Sequence, residues 1–264
     1  MMREDRKRGL MEIPSVVYSL YERSLLKGLD ESDLPGHVGV ILDGNRRWAR
    51  ESGLSASDGH RKGADKIVEF LTWCEEVHIP LVTLWLLSTD NLKRDPSELQ
   101  ALGEVICEAA ENLASIGRWR LHMVGALDLL PEEFAQRLRA VETATASLEG
   151  TVEVNIAVSY GGRQEIADAV RGLLCEASER GRTLDEVAET ISVDDIARHL
   201  YTYGQPDPDL VIRTSGEIRM SGFMLWQTVH TELYFCETYW PDFRRTDFLR
   251  ALRDYCLRER RLGK

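Results

Sequence analysis

Residues 37–49 read His-Val-Gly-Val-Ile-Leu-Asp-Gly-Asn-Arg-Arg-Trp-Ala. The apolar run Val38 to Leu42 predicts a buried strand. Asp43-Gly44-Asn45 is turn chemistry, and Arg46, Arg47 and Trp48 open a helix. A strand that delivers an acid, a glycine turn and two arginines to a helix N-terminus suits a phosphorylated ligand held with a metal. Free backbone N–H groups and the helix dipole favour an anion there. Arginine offers planar, forked donors to phosphate oxygens. A lone carboxylate suits Mg²⁺, which keeps waters and takes its other ligands from substrate phosphates. A solvated turn with a helix-capping Asp43 would leave the same local string.

Two more strands end in the same way. Leu210 to Ile212 runs into Arg213, a Ser-Gly turn, Arg219 and Ser221. Two arginines and two hydroxyls around one turn suit a second diphosphate, and would equally suit a loop salt-bridged to nearby acids. Leu81 to Leu87 ends in Ser88-Thr89-Asp90-Asn91, with Lys93 and Arg94 just beyond. Strand C-termini line the ligand crevice of an open α/β sheet.

Outward from these strands, the chain alternates. Strand-like runs at 38–42, 81–87, 119–124, 152–158, 209–212 and 232–236 are interleaved with helical patterns at about 60–77, 97–116, 131–147, 163–179, 193–201 and 243–257. This predicts an α/β fold with a mostly parallel six-stranded central sheet flanked by helices. With 264 residues and 43% hydrophobic content, one sizeable domain is expected, residues 35–264, behind an N-terminal helical extension, residues 1–34. Residues 11–28 carry helical spacing in Ile13, Val16, Val17, Leu20 and Leu25. A lipid-facing helix and a helix packed on the domain both fit, and its thin basic face favours packing.

The formal net charge is −11, which argues against a nucleic-acid partner. The arginines of the three strand ends are a local concentration in an acidic chain. Cysteines 74, 107, 175, 236 and 256 are scattered without a C-x-x-C pair, as in a reducing cytosol and without a metal cluster. No run of 18 apolar residues predicts a spanning helix. Residues 1–10 lack the apolar core of a signal peptide. The expected location is cytoplasmic, with at most peripheral contact at the inner face of a membrane.

The motifs together resemble the cis-prenyltransferase, or undecaprenyl diphosphate synthase, family. The Asp-Gly-Asn-x-Arg-Trp-Ala signature stands at Asp43–Ala49, and Ser-x-x-Asn-x-x-Arg at Ser88, Asn91 and Arg94. Tyr-Gly-Gly-Arg is Tyr160–Arg163, and Arg-Thr-Ser-Gly-Glu-x-Arg-x-Ser is Arg213–Ser221. Leu225–Phe235, then Trp240-Pro241-Asp242-Phe243, complete the set. Within the family the chain is most similar to short-chain actinobacterial members that make a Z-configured farnesyl diphosphate.

The resemblance implies a fold with a hydrophobic tunnel and a condensation of isopentenyl diphosphate with a short allylic diphosphate. It implies that Gly44, Asn45, Arg46, Arg47, Trp48, His60 and Arg94 hold the allylic diphosphate. Arg213, Arg219 and Ser221 would hold isopentenyl diphosphate, and Asp43 with Glu232 would bind Mg²⁺. Asp43, Asn91 and Ser88 would serve catalysis, Asn91 as an orienter or relay because an amide is a poor base. Taken alone, without the resemblance, Ser88 and Asn91 read as a helix cap before Pro96, and His60 as a satisfied structural histidine. A homodimer is implied by Thr231–Phe235 and Trp240–Phe243, with the segment Arg258–Gly263 reaching the partner's site.

Three departures stand out. Ala56 replaces a common arginine, Leu92 replaces an aromatic residue of long-chain members, and Gly222 replaces an asparagine. Leu86, two residues before Ser88, stands where long-chain relatives carry a small residue and is expected to stop the growing tail. An ordinary core leucine is the plain alternative. Rival activities are a longer-chain synthase, a head-to-middle lavandulyl-type enzyme and a non-catalytic partner subunit. The retained Glu232 and Arg-x-Ser element favour head-to-tail elongation, and the retained Asp43 and Asn91 speak against a non-catalytic subunit.

Overall fold

A computed structural model describes residues 15–149 and 152–258 of the chain. They divide into two compact units, Pro35–Phe243 and the two terminal segments. In the terminal unit, α1 (Ser15–Lys27) pairs with α9 (Arg245–Cys256). Arg245 reaches Glu22 at 3.3 Å, and Arg250 Nε donates to Tyr21 Oη at 3.1 Å. The helix expected over 11–28 is thus packed on another helix, although its Leu20 stays exposed. The start of that expected helix and residues 259–263 lie outside the described residues.

The larger unit is built on β1 (His37–Ile41), β2 (Leu81–Trp85), β3 (Arg120–Val124), β4 (Glu153–Ala157), β5 (Leu210–Arg213) and β6 (Glu232–Phe235). They form one sheet in the order β3-β4-β2-β1-β5-β6, and every ladder is parallel. Parallel neighbours need long crossovers, and helices supply them: α2 (Asn45–Glu51), α3 (Ala56–Glu76), α4 (Pro96–Ile116), α5 (Glu132–Thr145), α6 (Gly162–Glu179), α7 (Leu184–Thr190) and α8 (Val193–Ala197). β1 and β2 are buried at every residue, which is why they read as continuous apolar runs rather than alternating ones.

The chain leaves β1 for β2 on one side and later returns to add β5 on the other. The C-terminal ends of β1, β2 and β5 therefore meet at a switch point of the sheet, where open α/β sheets bind ligands. Asp43 follows β1, Ser88 follows β2 and Arg213 ends β5.

Three local expectations are corrected. The expected helix 193–201 shortens to α8, which stops at Ala197. α7 precedes it without an apolar stripe to announce it, since only Val187 is buried. Its signal was a capping box, Thr183 with Glu186. β2 ends at Trp85, two residues early, because Leu86 N and Leu87 N both turn to Ala157 O, at 3.0 and 3.3 Å.

Two glycines on α3 decide how close α3 comes to the start of α2. A Cβ on Gly59 would lie 2.3 Å from Asn45 O, and one on Gly63 would lie 2.4 Å from Asn45 Oδ1. That approach carries His60, between them, to the switch point.

One buried polar group sits at the start of β1. His37 shares hydrogen bonds with Pro206 O and Thr83 Oγ1, each at 2.8 Å, and Asn155 Nδ2 donates to the same hydroxyl at 3.0 Å. Burial pulls the His37 pKa down to about 4 from 6.5, against the opposing pull of the Pro206 carbonyl and Asp209. The unfolded chain takes up a proton near pH 6.5 that the folded protein refuses until about pH 4. His37 thus stabilises the fold fully above pH 6.5, and that contribution is lost as pH falls from 6.5 toward 4. The expected loss is on the order of 3 kcal/mol. Urea unfolding at pH 7.5, 6 and 5 checks it, and His37→Gln should reduce the slope over that window without abolishing it, since the buried His60 is depressed to about 4 in the same way.

Candidate active site

At the switch point lies a cavity of ≈ 730 Å³, within the size range of small-molecule pockets. Its floor begins with the turn after β1. Gly44 has φ 107°, a left-handed conformation that a side chain resists, and an added Cβ would lie 2.7 Å from Tyr239 Cδ1. This turn starts α2 directly, so Asn45, Arg46 and Arg47 enter the cavity at a helix N-terminus.

Asp43 is held between two arginines. Its Oδ2 accepts from Arg213 Nη2 at 2.8 Å, and its Oδ1 lies 3.4 Å from Arg47 Nη2. Burial alone would push the carboxyl up, but Arg213, with Ser215 and Arg47, outweighs it and holds Asp43 below the usual carboxylate range. Arg213 is buried, and it also donates from Nη1 to Arg219 O and to Ser221 Oγ at 2.8 Å. Arg47 reaches Glu217 at 3.0 Å and Ser215 Oγ at 2.6 Å. Glu217 pairs with Arg219 as well, so one carboxylate bridges the two arginine groups.

The segment after β2 forms the facing wall. Ser88 Oγ accepts from Asn91 N at 3.2 Å, capping a single 3₁₀ turn over Thr89–Lys93. Ser88 thus caps this short turn, whereas the helix that starts at Pro96 is capped by Asp95, and Ser88 and Asn91 both line the cavity. Arg94 donates to Asn91 Oδ1 at 3.0 Å and to Glu98 Oε1 at 3.1 Å. Arg46 approaches the same Glu98 oxygen at 3.5 Å. His60 faces the cavity with its Nε2 buried and without a hydrogen-bond partner among the described residues. Burial first, then the charges of Arg94 and Arg46, lower its pKa to about 4, so the imidazole is neutral near pH 7.

One chain therefore brings together Asp43, Gly44, Asn45, Arg46, Arg47, His60, Ser88, Asn91, Arg94, Arg213 and Ser221. Leu86 and Ala56 line the same space, Ala56 contributing no charge. Trp48 and Arg219 do not line it, although Arg219 is tied to it through Glu217. Glu232 opens β6 opposite Leu210, at the far end of that ladder from Arg213 and Phe235. A single chain does not bring it beside Asp43. Glu98, and Glu217 inside the Arg213–Ser221 motif, carry no role in the sequence reading, since charged residues in helices and loops are usually solvated.

Among the described residues no group of three or more His, Cys, Asp or Glu could hold a metal by itself. The donor set instead fits an ion that takes one carboxylate, Asp43, and draws its other ligands from substrate phosphates and water, as Mg²⁺ does.

A parallel α/β sheet whose strand ends present a lone ionised acid and clustered arginines defines an enzyme for diphosphate esters. The chain belongs to the undecaprenyl diphosphate synthase family, the cis-prenyltransferases, whose family description is "Putative undecaprenyl diphosphate synthase" and whose pattern matches residues 41–263. It is 59% identical over 256 residues to a (2Z,6E)-farnesyl diphosphate synthase of Thermobifida fusca, covering 97% of this chain and 99% of that one. It is 57% identical over 257 residues to isoprenyl transferase 1 of Corynebacterium efficiens, covering 97% and 100%. A solved structure of lavandulyl diphosphate synthase from Lavandula x intermedia, in complex with dimethylallyl diphosphate, superposes with a TM-score of 0.80 at 30% identity, covering 88% of this chain and 100% of that one.

The Gly44 turn gives a direct test. Gly44→Ala combines a positive φ with a clash against Tyr239 and Ser215. Strain and overpacking together should lower stability by about 1–3 kcal/mol. Turnover per folded molecule should fall more than tenfold, because Asp43 and the start of α2 shift together. Thermal melting alongside initial rates separates the two effects.

Proposed function

We propose that this enzyme condenses isopentenyl diphosphate with geranyl diphosphate, making a fifteen-carbon, Z-configured farnesyl diphosphate and releasing diphosphate. The observation that carries the reading is the position of Leu86. Behind the ≈ 730 Å³ cavity lies a second, apolar pocket of only ≈ 40 Å³, bounded by Ile67, Leu102, Val105, Ile106 and Ala109. Leu86 lines both. By the same measure a water needs about 10–15 Å³, so the pocket takes roughly three waters and less than another five-carbon unit. A fifteen-carbon product also fits the 59% identity to the (2Z,6E)-farnesyl diphosphate synthase.

In this reading the allylic diphosphate lies at the start of α2 against Gly44, Asn45, Arg46 and Arg47, with Arg94 across from them. The neutral His60 turns an Nε2–H toward a diphosphate oxygen. Isopentenyl diphosphate lies against Arg213, Arg219 and Ser221. Asp43 is the residue that would hold Mg²⁺, which when bound neutralises charge on the leaving diphosphate. The allylic C–O bond breaks and its carbon bonds to the terminal alkene carbon of isopentenyl diphosphate. A proton then leaves that substrate for a diphosphate oxygen or Asp43. Asn91, whose carbonyl is held by Arg94, orients the alkene with Ser88. Positioning and charge stabilisation supply most of the acceleration. Carboxylates now on the arginines, Glu98 and Glu217, exchange places with phosphate oxygens when substrate enters.

A second copy of the chain is the proposed partner. β6 is the edge of the sheet and all four of its residues are only partly buried, with Leu225 and Val229 exposed nearby. An edge of this kind pairs readily with another. A dimer would also offer Glu232 a place in a shared site.

Product analysis tests the length reading. Wild type given geranyl and isopentenyl diphosphates should yield fifteen carbons as the main product. Leu86→Ala should add at least one further condensation, at a stability cost toward the lower end of about 2–5 kcal/mol because Leu86 is only partly buried. A destabilised mutant with an unchanged product would make Leu86 an ordinary core residue. Separate arginine variants test the two diphosphate sites. Arg94→Ala should raise KM for the allylic partner, and Arg219→Ala that for isopentenyl diphosphate. Each change should be about tenfold or more, the worth of a charge-assisted contact. Equal effects on both constants would refute the division.

A further inference from the structure

Asp43 is useful only if its carboxylate stands still, and the turn that carries it has no regular ladder to hold it. β1 stops at Ile41 and α2 starts at Asn45. Between them the hydrogen bonds of the Asp43 backbone lead to three places. Its N–H reaches Ile41 O at 2.9 Å, a tight local turn. Its carbonyl accepts from Trp240 N at 3.0 Å. Both groups also meet one side chain, Thr214.

Thr214 directly follows β5 and is fully buried. Its Oγ1 lies 3.0 Å from Asp43 N, 2.7 Å from Asp43 O and 3.2 Å from Ile41 O. A hydroxyl has one proton and two lone pairs. It therefore donates along the shorter path to Asp43 O while accepting from Asp43 N. One buried oxygen is thus a second partner for both main-chain groups of the same residue, beside Ile41 O and Trp240 N. The neighbour in sequence, Arg213, holds the carboxylate of Asp43 at 2.8 Å. The tip of β5 grips Asp43 twice, by side chain through Arg213 and by main chain through Thr214.

We infer that Thr214 is a positioning residue for the reaction, fixing the main chain of Asp43 so that its carboxylate faces the diphosphates. This rests on the reading of Asp43 proposed above. Thr214 touches neither substrate in that reading, and it does not line the cavity. A purely structural hydroxyl would add stability and leave turnover alone. A positioning hydroxyl acts on turnover through Asp43, because a displacement of about 1 Å in a reacting group costs as much as 10²-fold.

The test uses Thr214→Val, which keeps the shape and removes the hydroxyl, and Thr214→Ser, which restores it. Thr214→Val should fold, lose about tenfold to a hundredfold in kcat, and keep both KM values within about threefold. Thr214→Ser should recover most of the loss. In the metal-free protein, amide exchange at Asp43 should speed up about tenfold in the valine variant and stay slow in the serine variant. Combining Thr214→Val with Asp43→Asn should be no slower than Asp43→Asn alone, because both changes act through one residue. Additive losses, or wild-type kcat in Thr214→Val with slow exchange, would overturn the inference. If Asp43→Asn itself turned over normally, the fault would lie with the role given to Asp43. If the valine variant did not fold, failure of Thr214→Ser to protect the Asp43 amide would count against the inference by itself.

Discussion

The ion pair between Arg213 and Asp43 is the constraint on which the rest of the site depends. A guanidinium left only 4% exposed has to be compensated where it lies. Asp43 supplies the charge and Arg219 O and Ser221 Oγ accept from Nη1, while Nε is buried without a hydrogen-bond partner among the described residues. The loop 214–221 is thereby folded around one side chain. Ser215 and Ser221 accept left-handed backbone conformations, φ 78° and 52°, to complete the wrap. The same pair fixes where β5 ends relative to β1, since Ile41 and Arg213 are register partners. The geometry of the proposed isopentenyl site and the ionised state of the proposed metal ligand are consequences of a single buried contact.

The free site is a set of five arginines partly neutralised from within by three carboxylates. Asp43 serves Arg213 and Arg47, Glu217 serves Arg47 and Arg219, and Glu98 serves Arg94 and Arg46. This suits a chain of net charge −11, which could not attract diphosphates by its overall field. Attraction is confined to a cleft where several guanidiniums converge. In the proposed reading, exchange of Glu98 and Glu217 for diphosphate oxygens keeps each arginine compensated. Pairs at intermediate exposure contribute little to folding, so breaking them on binding costs little.

The sheet was legible because parallel strands buried on both faces leave continuous apolar runs, as in Val38–Leu42 and Leu81–Leu87. The strand ends were legible because Asp43, Ser88 and Arg213 interrupt those runs with polar residues. What escaped was set by neighbours distant in sequence. Glu98 is an ordinary acid on an exposed helix face until α2 brings Arg46 to it. Gly59 and Gly63 look like helix defects until Asn45 lies against them. Side chains two apart on a strand share a face, which would put Leu86 with Ser88, and both do line the cavity. The reason differs, because β2 has already ended and Trp85 and Leu87 line the cavity as well. Glu232 is the converse case, a motif residue whose place in one chain lies away from the other motif residues.

The early end of β2 bears on how product length is controlled. Each added isoprene unit gains roughly 4 kcal/mol if its five carbons are buried at ~0.8 kcal/mol apiece, so growth is favoured wherever an apolar space opens. A stop has to be steric, and it has to resist that gain. A side chain on a flexible loop would move aside. Leu86 is set on a main chain whose next links are fixed, with Leu87 N and Leu86 N on Ala157 O and Tyr160 N on Leu87 O at 3.0 Å. Tyr160 is in turn anchored by its hydroxyl on the buried Glu165 at 2.5 Å. The residue proposed to end the tail, Leu86, and Ser88 two places on share one hydrogen-bonded support. Moving the stop by rearranging that support would also move Ser88, whereas changing the side chain at 86 alone leaves the reacting end in place.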